Sequence, residues 1–404
     1  MVIGIDASRA NRDRKTGTEW YSFYLIKNLA IIDKRNHYRL YLDSPPSAEL
    51  IAAVRNNSNF SFHFLKWPFG FFWTLGRLSL EMIWRRPDVL FVPAHGLPLF
   101  RPRRTANTVH DVAFVRAKNL YRSDEVKTSF AGGRSLINLL VKLFTFGRYR
   151  ASSLDYLSWS TSFSLRRAKK IITVSNFSKQ EILKFYPRIP ESRIKVIYNG
   201  YDASFFRKIN DEEDQKEVLA KYGLEKPFFL YVGRLEKKKN TLSLIEAMSL
   251  IKDNNLPVKE KLVLIGDAGF GYDEIKYAIE EFDLERRIDM PGWVDEQDLP
   301  QIFNAATALV FPSRHEGFGL PIIQAFACGL PVVASDLPVF REVAVDAVLY
   351  FDLQDRESLV KVLSDISTNE SLRKSLSDKG LIRAKDFSWE KCAVETLSEL
   401  ENWA

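Results

Sequence analysis

Two segments in the second half of the chain carry residues whose types and spacing suit the chemistry of a phosphorylated sugar. The first spans 309–336, LVFPSRHEGFGLPIIQAFACGLPVVASD. Its apolar run stops at Pro312, and a polar turn leads through Glu316 into Gly317-Phe318-Gly319. Leu320-Pro321 then opens a helix that ends at Gly329, before a second β-branched run. Strand, glycine turn, helix and strand predict a βαβ unit whose turn lies at the carboxyl end of a strand, where open α/β sheets bind ligands. Glycines let a ligand approach the backbone, and the free N–H groups of a helix start favour an anion such as a diphosphate. A carboxylate does not suit the phosphate itself, so Glu316 is expected on sugar hydroxyls. Taken alone, the stretch reads equally as a capped helix start with an exposed Glu.

The second segment follows a predicted strand, PFFLYVG, that ends at Gly233. It reads Arg234-Leu235-Glu236-Lys237-Lys238-Lys239-Asn240 and precedes a helix, TLSLIEAM. Four cations at a strand end repel one another unless solvated or facing an anion. Arg can fork onto phosphate oxygens, and Lys acts as a point charge. A solvated basic turn is the competing reading. Gly266 opens a further glycine turn, GDAG, at the same edge of the same expected sheet. In the first half, the strand ANTV delivers His110-Asp111 to its carboxyl end; a histidine buried for structure is the alternative there. Gly17-Thr18 marks a helix start and a second candidate anion site, which reads as well as a plain loop.

These residues need elements to hold them. At 404 residues, with 46% hydrophobic and 27% charged, the chain is globular and long enough for two α/β domains. Buried or alternating runs at Val2–Asp6, His37–Asp43, Phe60–Leu65, Asp88–Val92, Ile171–Val174 and Lys195–Tyr198 predict a first set of strands. Runs at Pro227–Gly233, Lys261–Ile265, Arg287–Met290, Leu309–Phe311 and Val332–Ala334 predict a second. Helical patterns separate them, which means a doubly wound parallel sheet twice over. The expected domains are 1–200 and 201–387, with a last helix, about 388–404, that packs back across one of them. Trp20, Phe23, Tyr24, Ile26, Leu29 and Ala30 are the expected buried stripe of the helix after Gly17.

Two distant cysteines, Cys328 and Cys392, predict neither a disulfide framework nor a cysteine zinc site. The start, MVIGIDASRA, has no basic segment before an apolar core and is no signal peptide, so a cytoplasmic location is expected. The net charge of +7 hides an asymmetry: residues 1–187 hold 30 Lys and Arg against 13 Asp and Glu, a net of +17, and the remainder is −10. One half should therefore face an anionic partner. Residues 67–86, aromatic-rich and closed by Arg85 and Arg86, read as a core-facing helix or an interfacial helix on anionic lipid. The basic stretch 115–170, with Leu136, Leu139, Leu140, Leu143 and Phe144 on one helical face, reads as a solvated face or a membrane-surface patch. No motif or aromatic platform of a nucleic-acid binder occurs, so no nucleic acid is expected.

VGRLEKKKN, PGWVDEQDLPQIFNAA and FPSRHEGFGLPIIQAFACGLPVVAS, in that order and spacing, resemble the retaining glycosyltransferases of family 4. TGTEWY, VHD, TVSNFSK, VIYNGYD and FSWEKC extend the resemblance over nearly the whole chain. It implies the GT-B fold, two Rossmann-like domains facing across a cleft, with the acceptor on the first and a nucleotide-sugar donor on the second. It implies that Arg234 and Lys239 bind and stabilise the leaving diphosphate, with Gly233 and Gly266 lining the donor site. Glu316 would hold the sugar hydroxyls, and the backbone of Gly317, Phe318, Gly319 and Leu320 would hold sugar and phosphate. His110 would stand beside the transferred sugar, Gly17 near the phosphates or the acceptor, and Asp295 near the base. A carboxylate there suits guanine N1–H and N2–H, which favours GDP over UDP. The family pairs two glutamates eight positions apart, and here the second is Gln324. Gln still bonds ribose hydroxyls but without charge assistance, so weaker nucleotide binding is expected. The expected reaction moves a hexose, mannose or glucose in type, with retention, to a saccharide or lipid-linked acceptor in cell-surface polysaccharide or glycolipid synthesis. It requires no metal and no cofactor beyond the donor, and it places the enzyme in the cytoplasm or peripherally on the cytoplasmic membrane face. A non-catalytic nucleotide-sugar binding homologue is the alternative.

Overall fold

The computed structural model describes residues 1–68, 72–121, 152–209 and 211–403. They form two compact units, Met1–Asn199 with Trp389–Ala404, and Gly200–Ser388. The first unit is built on seven parallel strands: β1 (Val2–Asp6), β2 (His37–Leu42), β3 (Phe60–Phe64), β4 (Val89–Val92), β5 (Thr105–Val109), β6 (Lys170–Thr173) and β7 (Ile194–Val196). Their spatial order is β3-β2-β1-β4-β5-β6-β7. Sequence runs from β1 to β3 on one side, then returns to β1's other side with β4. The crevice of this sheet therefore opens above the carboxyl ends of β1 and β4. VLFV and TANTV are buried throughout, as strands covered by helices on both faces must be.

The second unit has six parallel strands: β8 (Phe228–Val232), β9 (Lys261–Ile265), β10 (Ile288–Gly292), β11 (Ala308–Phe311), β12 (Val332–Ser335) and β13 (Val348–Phe351). They lie in the order β10-β9-β8-β11-β12-β13, so the reversal falls between β8 and β11. The edge strand β13 was absent from the sequence expectation, because VLYF is a short run only half buried. Strand β7 also ends two residues before Tyr198.

The helix Gly17–Ile32 buries more than a stripe: Tyr21, Ser22, Phe23, Tyr24, Leu25, Ile26, Leu29 and Ala30 are all covered. The reason is the terminal helix Trp389–Glu401, which packs against it and stacks Trp389 on Tyr24 at 5.5 Å between ring centres. The segment 67–86 is not one helix. A π-helical turn, Thr74–Leu78, runs into a short α-helix, Ser79–Trp84, while the Trp73 indole N–H donates to the Leu65 carbonyl at 2.9 Å. The predicted helical face Leu136–Phe144 lies outside the described residues. Cys328 and Cys392 are unbridged and buried, one in each unit, and burial pushes both thiols up to about 12. No helix among the described residues is long and apolar enough to cross a membrane.

Candidate active site

In the second unit the chemistry-bearing residues follow successive strands at one edge of the sheet: Arg234 and Lys239 after β8, Gly266 after β9, Asp295 after β10, and Glu316 after β11. The β8 and β11 loops, neighbours at the reversal point, are tied by several bonds. The Arg314 N–H donates to the Lys238 carbonyl at 2.9 Å, and Arg314 Nε donates to Asn240 Oδ1 at 2.9 Å. Asn240 holds a left-handed backbone, φ 56°, which an Asn tolerates better than most residues. Lys239 Nζ then pairs with Glu316 Oε1, both side chains mostly shielded from solvent. The Ser313 hydroxyl donates to the same Glu316 oxygen at 2.9 Å, and Ser335 at the end of β12 donates to the Ser313 carbonyl at 2.6 Å.

Three of the four cations of the β8 loop do not simply face solvent. Lys237 pairs with Glu274 at 2.5 Å, Lys238 lies 3.5 Å from Glu236, and Lys239 holds Glu316, while Arg234 is exposed. The repulsion expected from the sequence is thus relieved by carboxylates of the same unit. The buried Tyr231 hydroxyl donates to the Arg234 carbonyl at 2.9 Å, which fixes where the arginine leaves the strand.

Gly233 and Gly266 meet backbone to backbone. Leu235 N–H bonds the Asp267 carbonyl at 3.0 Å and Gly269 N–H bonds the Leu235 carbonyl at 2.9 Å, extending the β8–β9 ladder past the strand ends. A Cβ on Gly266 would stand 2.1 Å from the Gly233 carbonyl oxygen, at a φ of 141°. After β11, Gly319 has φ 101° and caps the helix Leu320–Ala327, with Pro321 in its first turn. Phe318 is buried edge-on to Phe387 at 5.6 Å, so this residue offers a ligand its backbone rather than its ring. Leu320 and Gln324 share a face of that helix one turn apart, and Gln324 is half-buried. Asp295 is more occupied than the sequence suggested: Lys221 Nζ lies 3.2 Å from its carboxylate and 2.6 Å from Asp298.

In the first unit, His110 follows β5 and is half-buried. Its Nε2 lies 3.3 Å from the Pro93 carbonyl, and its ring meets the Tyr21 ring edge-on at 4.8 Å. Tyr21 is one turn beyond Gly17 on the same helix, so Gly17 and His110 share one end of this sheet. Burial holds the His110 imidazole below the ordinary range, against the opposing pull of the Pro93 carbonyl and the charges of Asp111 and Glu19. It is a neutral hydrogen-bonding group at pH 7. Around Gly17 the first turn already contains a carboxylate: Glu19 accepts from the Thr16 N–H at 3.3 Å and pairs with Arg9 at 2.9 Å. Sequence reasoning missed Asp6 and His95 in this unit. Asp6 ends β1 with its carboxylate buried, accepting from Ser8 Oγ at 2.6 Å, and burial raises its pKa. The His95 ring lies 5.8 Å from that of His110. Both were findable by the rule that located His110, a polar residue just past a buried strand.

The comparisons decide the family. A glycosyl transferases group 1 model matches residues 211–382, and a glycosyltransferase family 4 model matches 16–205. The O-antigen chain mannosyltransferase B of Escherichia coli is 30% identical over 395 residues, 95% of each chain. The chain belongs to the family 4, group 1 glycosyltransferases. A second Escherichia coli relative, a UDP-Gal:alpha-D-GlcNAc-diphosphoundecaprenol alpha-1,3-galactosyltransferase, is 32% identical over 183 residues, 44% of this chain and 46% of its own. Among solved structures, Anabaena HepE in complex with UDP and glucose matches with a TM-score of 0.70 over 99% of both chains, at 17% identity, and so shares the GT-B fold. This glycosyltransferase thus carries its strongest motif residues on one edge of the second-unit sheet.

Two outcomes follow. Gly266→Ala forces the β8 and β9 loops apart, so it should weaken nucleotide binding at least about tenfold and lower stability by about 1–3 kcal/mol; calorimetric titration and urea unfolding check both. His110 has its folded pKa below the unfolded value of about 6.5. Below that pH the unfolded chain takes up a proton that the folded chain refuses, so stability falls as pH drops through about 6.5. His110→Gln should therefore lose less stability than the wild type between about pH 7.5 and about pH 5.5, on either side of the unfolded pKa. An identical fall in both proteins would contradict a neutral His110 imidazole in the fold.

Proposed function

We propose that the enzyme transfers a hexose, mannose in the first instance, from a GDP-sugar to a hydroxyl of a saccharide or lipid-linked acceptor, with retention of configuration. The reading rests on one observation: the Lys239–Glu316 pair on adjacent loops at the reversal point of the sheet. A nucleotide diphosphate sugar offers each member what it needs. The diphosphate takes Lys239 and the exposed Arg234, and the sugar hydroxyls donate to Glu316. The pair is mostly shielded from water, so the cations are worth more to the charge that develops on the departing diphosphate than they would be in bulk solvent. The acceptor hydroxyl attacks on the face from which the diphosphate leaves. His110, neutral, supplies hydrogen bonds to the sugar rather than charge. The carboxylate at the start of the Gly17 helix suits hydroxyls better than phosphate, which favours an acceptor role there.

Asp295 accepts from guanine N1–H and N2–H on this reading, exchanging Lys221 for the base. The mannosyltransferase relative supports mannose and a surface polysaccharide. UDP is the competing nucleotide, supported by the galactosyltransferase relative and the HepE complex. A lipid-linked acceptor would place the enzyme at the cytoplasmic face of the membrane.

A thermal-shift screen of GDP- and UDP-sugars should show stabilisation by GDP-mannose above the others. Glu316→Gln and Lys239→Ala should each lower transfer by at least about a hundredfold, with the protein still folded; full activity in either would overturn the assignment. Gln324→Glu should tighten nucleotide binding severalfold by adding a charge-assisted bond to ribose, and unchanged or weaker binding would remove Gln324 from the ribose.

A further inference from the structure

The parallel topology of the first unit gathers three basic segments that the sequence keeps apart. Arg85-Arg86 enters β4, Arg101-Pro102-Arg103-Arg104 enters β5, and Arg166-Arg167-Ala168-Lys169 enters β6. Strands β4, β5 and β6 are consecutive neighbours pointing the same way, so these segments lie side by side along the amino edge of the sheet. The Leu90 N–H bonds the Arg104 carbonyl at 2.9 Å and the Lys169 N–H bonds the Thr105 carbonyl at 2.8 Å, which registers the three against one another. Arg101 lies close enough to Arg167 to feel its charge, and it stacks over Phe163 at 5.3 Å. Arg85, Arg86, Arg103, Arg104, Arg166, Arg167 and Lys169 are all exposed.

An apolar surface adjoins this edge. The Leu99 N–H donates to Ser79 Oγ at 2.7 Å, which lays the loop before β5 against the face of helix Ser79–Trp84 that carries Ile83 one turn on. Ile83 is 50% exposed, Trp84 72%, Leu99 48% and Phe100 57%. Two nearby carboxylates are already engaged, Glu81 with Arg77 and Glu399 with Lys170, which leaves Asp88, hydrogen-bonded to the Val2 N–H, as one exposed negative charge beside seven exposed cations. Large exposed aromatic and aliphatic side chains beside a polybasic row combine the two signals that hold a protein on an anionic bilayer. Nucleic acid would use the cations, and single strands could stack on Trp84 and Phe100, but it offers exposed Ile83 and Leu99 no apolar medium to enter.

We propose that the amino edge of the first-unit sheet, with Trp84 and Phe100 as its apolar anchors, is the surface by which this enzyme sits on an anionic lipid bilayer. The proposal deepens the membrane-face reading above and rests on it. The docking edge and His110 lie at opposite ends of β5, whose five residues at about 3.3 Å each give a separation of roughly 17 Å. A chain seated this way turns His110 away from the lipid, which suits an acceptor sugar at the outer end of a saccharide chain rather than one at the headgroup.

The test is co-sedimentation of the full chain with vesicles of phosphatidylcholine alone or mixed with phosphatidylglycerol. Binding should require phosphatidylglycerol and weaken with salt. The double variant Trp84→Ser/Phe100→Ser keeps every charge yet should partition at least about tenfold less. Arg85→Gln/Arg103→Gln should lose roughly fivefold per arginine removed. These side chains are exposed, so circular dichroism and urea unfolding should match the wild type. Unchanged partition of the Trp84/Phe100 variant, equal binding to both vesicle types, or displacement from vesicles by a single-stranded oligonucleotide whose own affinity falls in the arginine variant would each overturn the proposal. GDP and UDP titrations separate the two readings. Vesicle binding with no nucleotide binding defeats the donor assignment alone, and nucleotide binding with no vesicle binding defeats the docking surface alone.

Discussion

Lys239 and Glu316 stand 77 positions apart in sequence and meet because β8 and β11 are neighbours in the second sheet. That adjacency is the constraint on which the candidate site depends. A mostly shielded ion pair loses much of its hydration, and breaking it without replacement leaves a charge uncompensated, at a cost of about 3–5 kcal/mol for well-buried pairs. On the reading proposed above, a donor avoids the penalty by exchange, giving phosphate oxygens to the lysine and hydroxyl protons to the glutamate. A ligand with only one of these groups strands the other partner. On that reading the pair selects for an anion and a polyol joined at the right distance, before any contact with a base.

What surrounds the pair keeps it from relaxing when it opens. Ser335 fixes Ser313, and Ser313 fixes Glu316. Arg314 ties its own turn to Lys238 and Asn240. The Gly233–Gly266 approach locks the β8 loop against β9, and Tyr231 anchors the carbonyl of Arg234. Each bond lies within the unit and needs no ligand. Dipoles and charges oriented in advance cost no reorganisation as charge moves to the leaving group, which is where electrostatic catalysis gains most.

The sequence was most legible where structure is local. The apolar run before Pro312, the glycines of the turn and Pro321 announce the Glu316 unit almost residue for residue, and the helix runs from Leu320 as expected. Tertiary partners were illegible. Nothing near Lys237 reveals that Glu274 neutralises it, and nothing near Gly266 reveals the carbonyl pressed against it. The helix after Gly17 looked amphipathic because the sequence does not say that Trp389, at the far end of the chain, covers its second side. Asp6 and His95 escaped for a different reason: their strands were read correctly, but in the first half only the exit of the ANTV strand was read for polar residues.

Net charge by halves gave a true count and a misleading location. The basic half does not hold its cations at the edge where chemistry is expected. In the loop after β1, Arg9 pairs with Glu19, Arg12 with Asp43 and Lys15 with Glu49, so that edge of the first sheet is nearly neutral locally. Among the described residues, a row of exposed cations lies at the opposite edge, ahead of β4, β5 and β6. The acidic half, meanwhile, places Arg234 and Lys239 at its strand ends and balances three lysines with its own carboxylates. A diphosphate responds to the few charges within about a Debye length, roughly 8 Å at physiological salt, and not to the sum over a domain. On the reading proposed above, the acidic half, residues 188–404 with net charge −10, is thus the one that holds an anion in its crevice, and the basic half, residues 1–187 with +17, turns its surplus to a broad anionic surface.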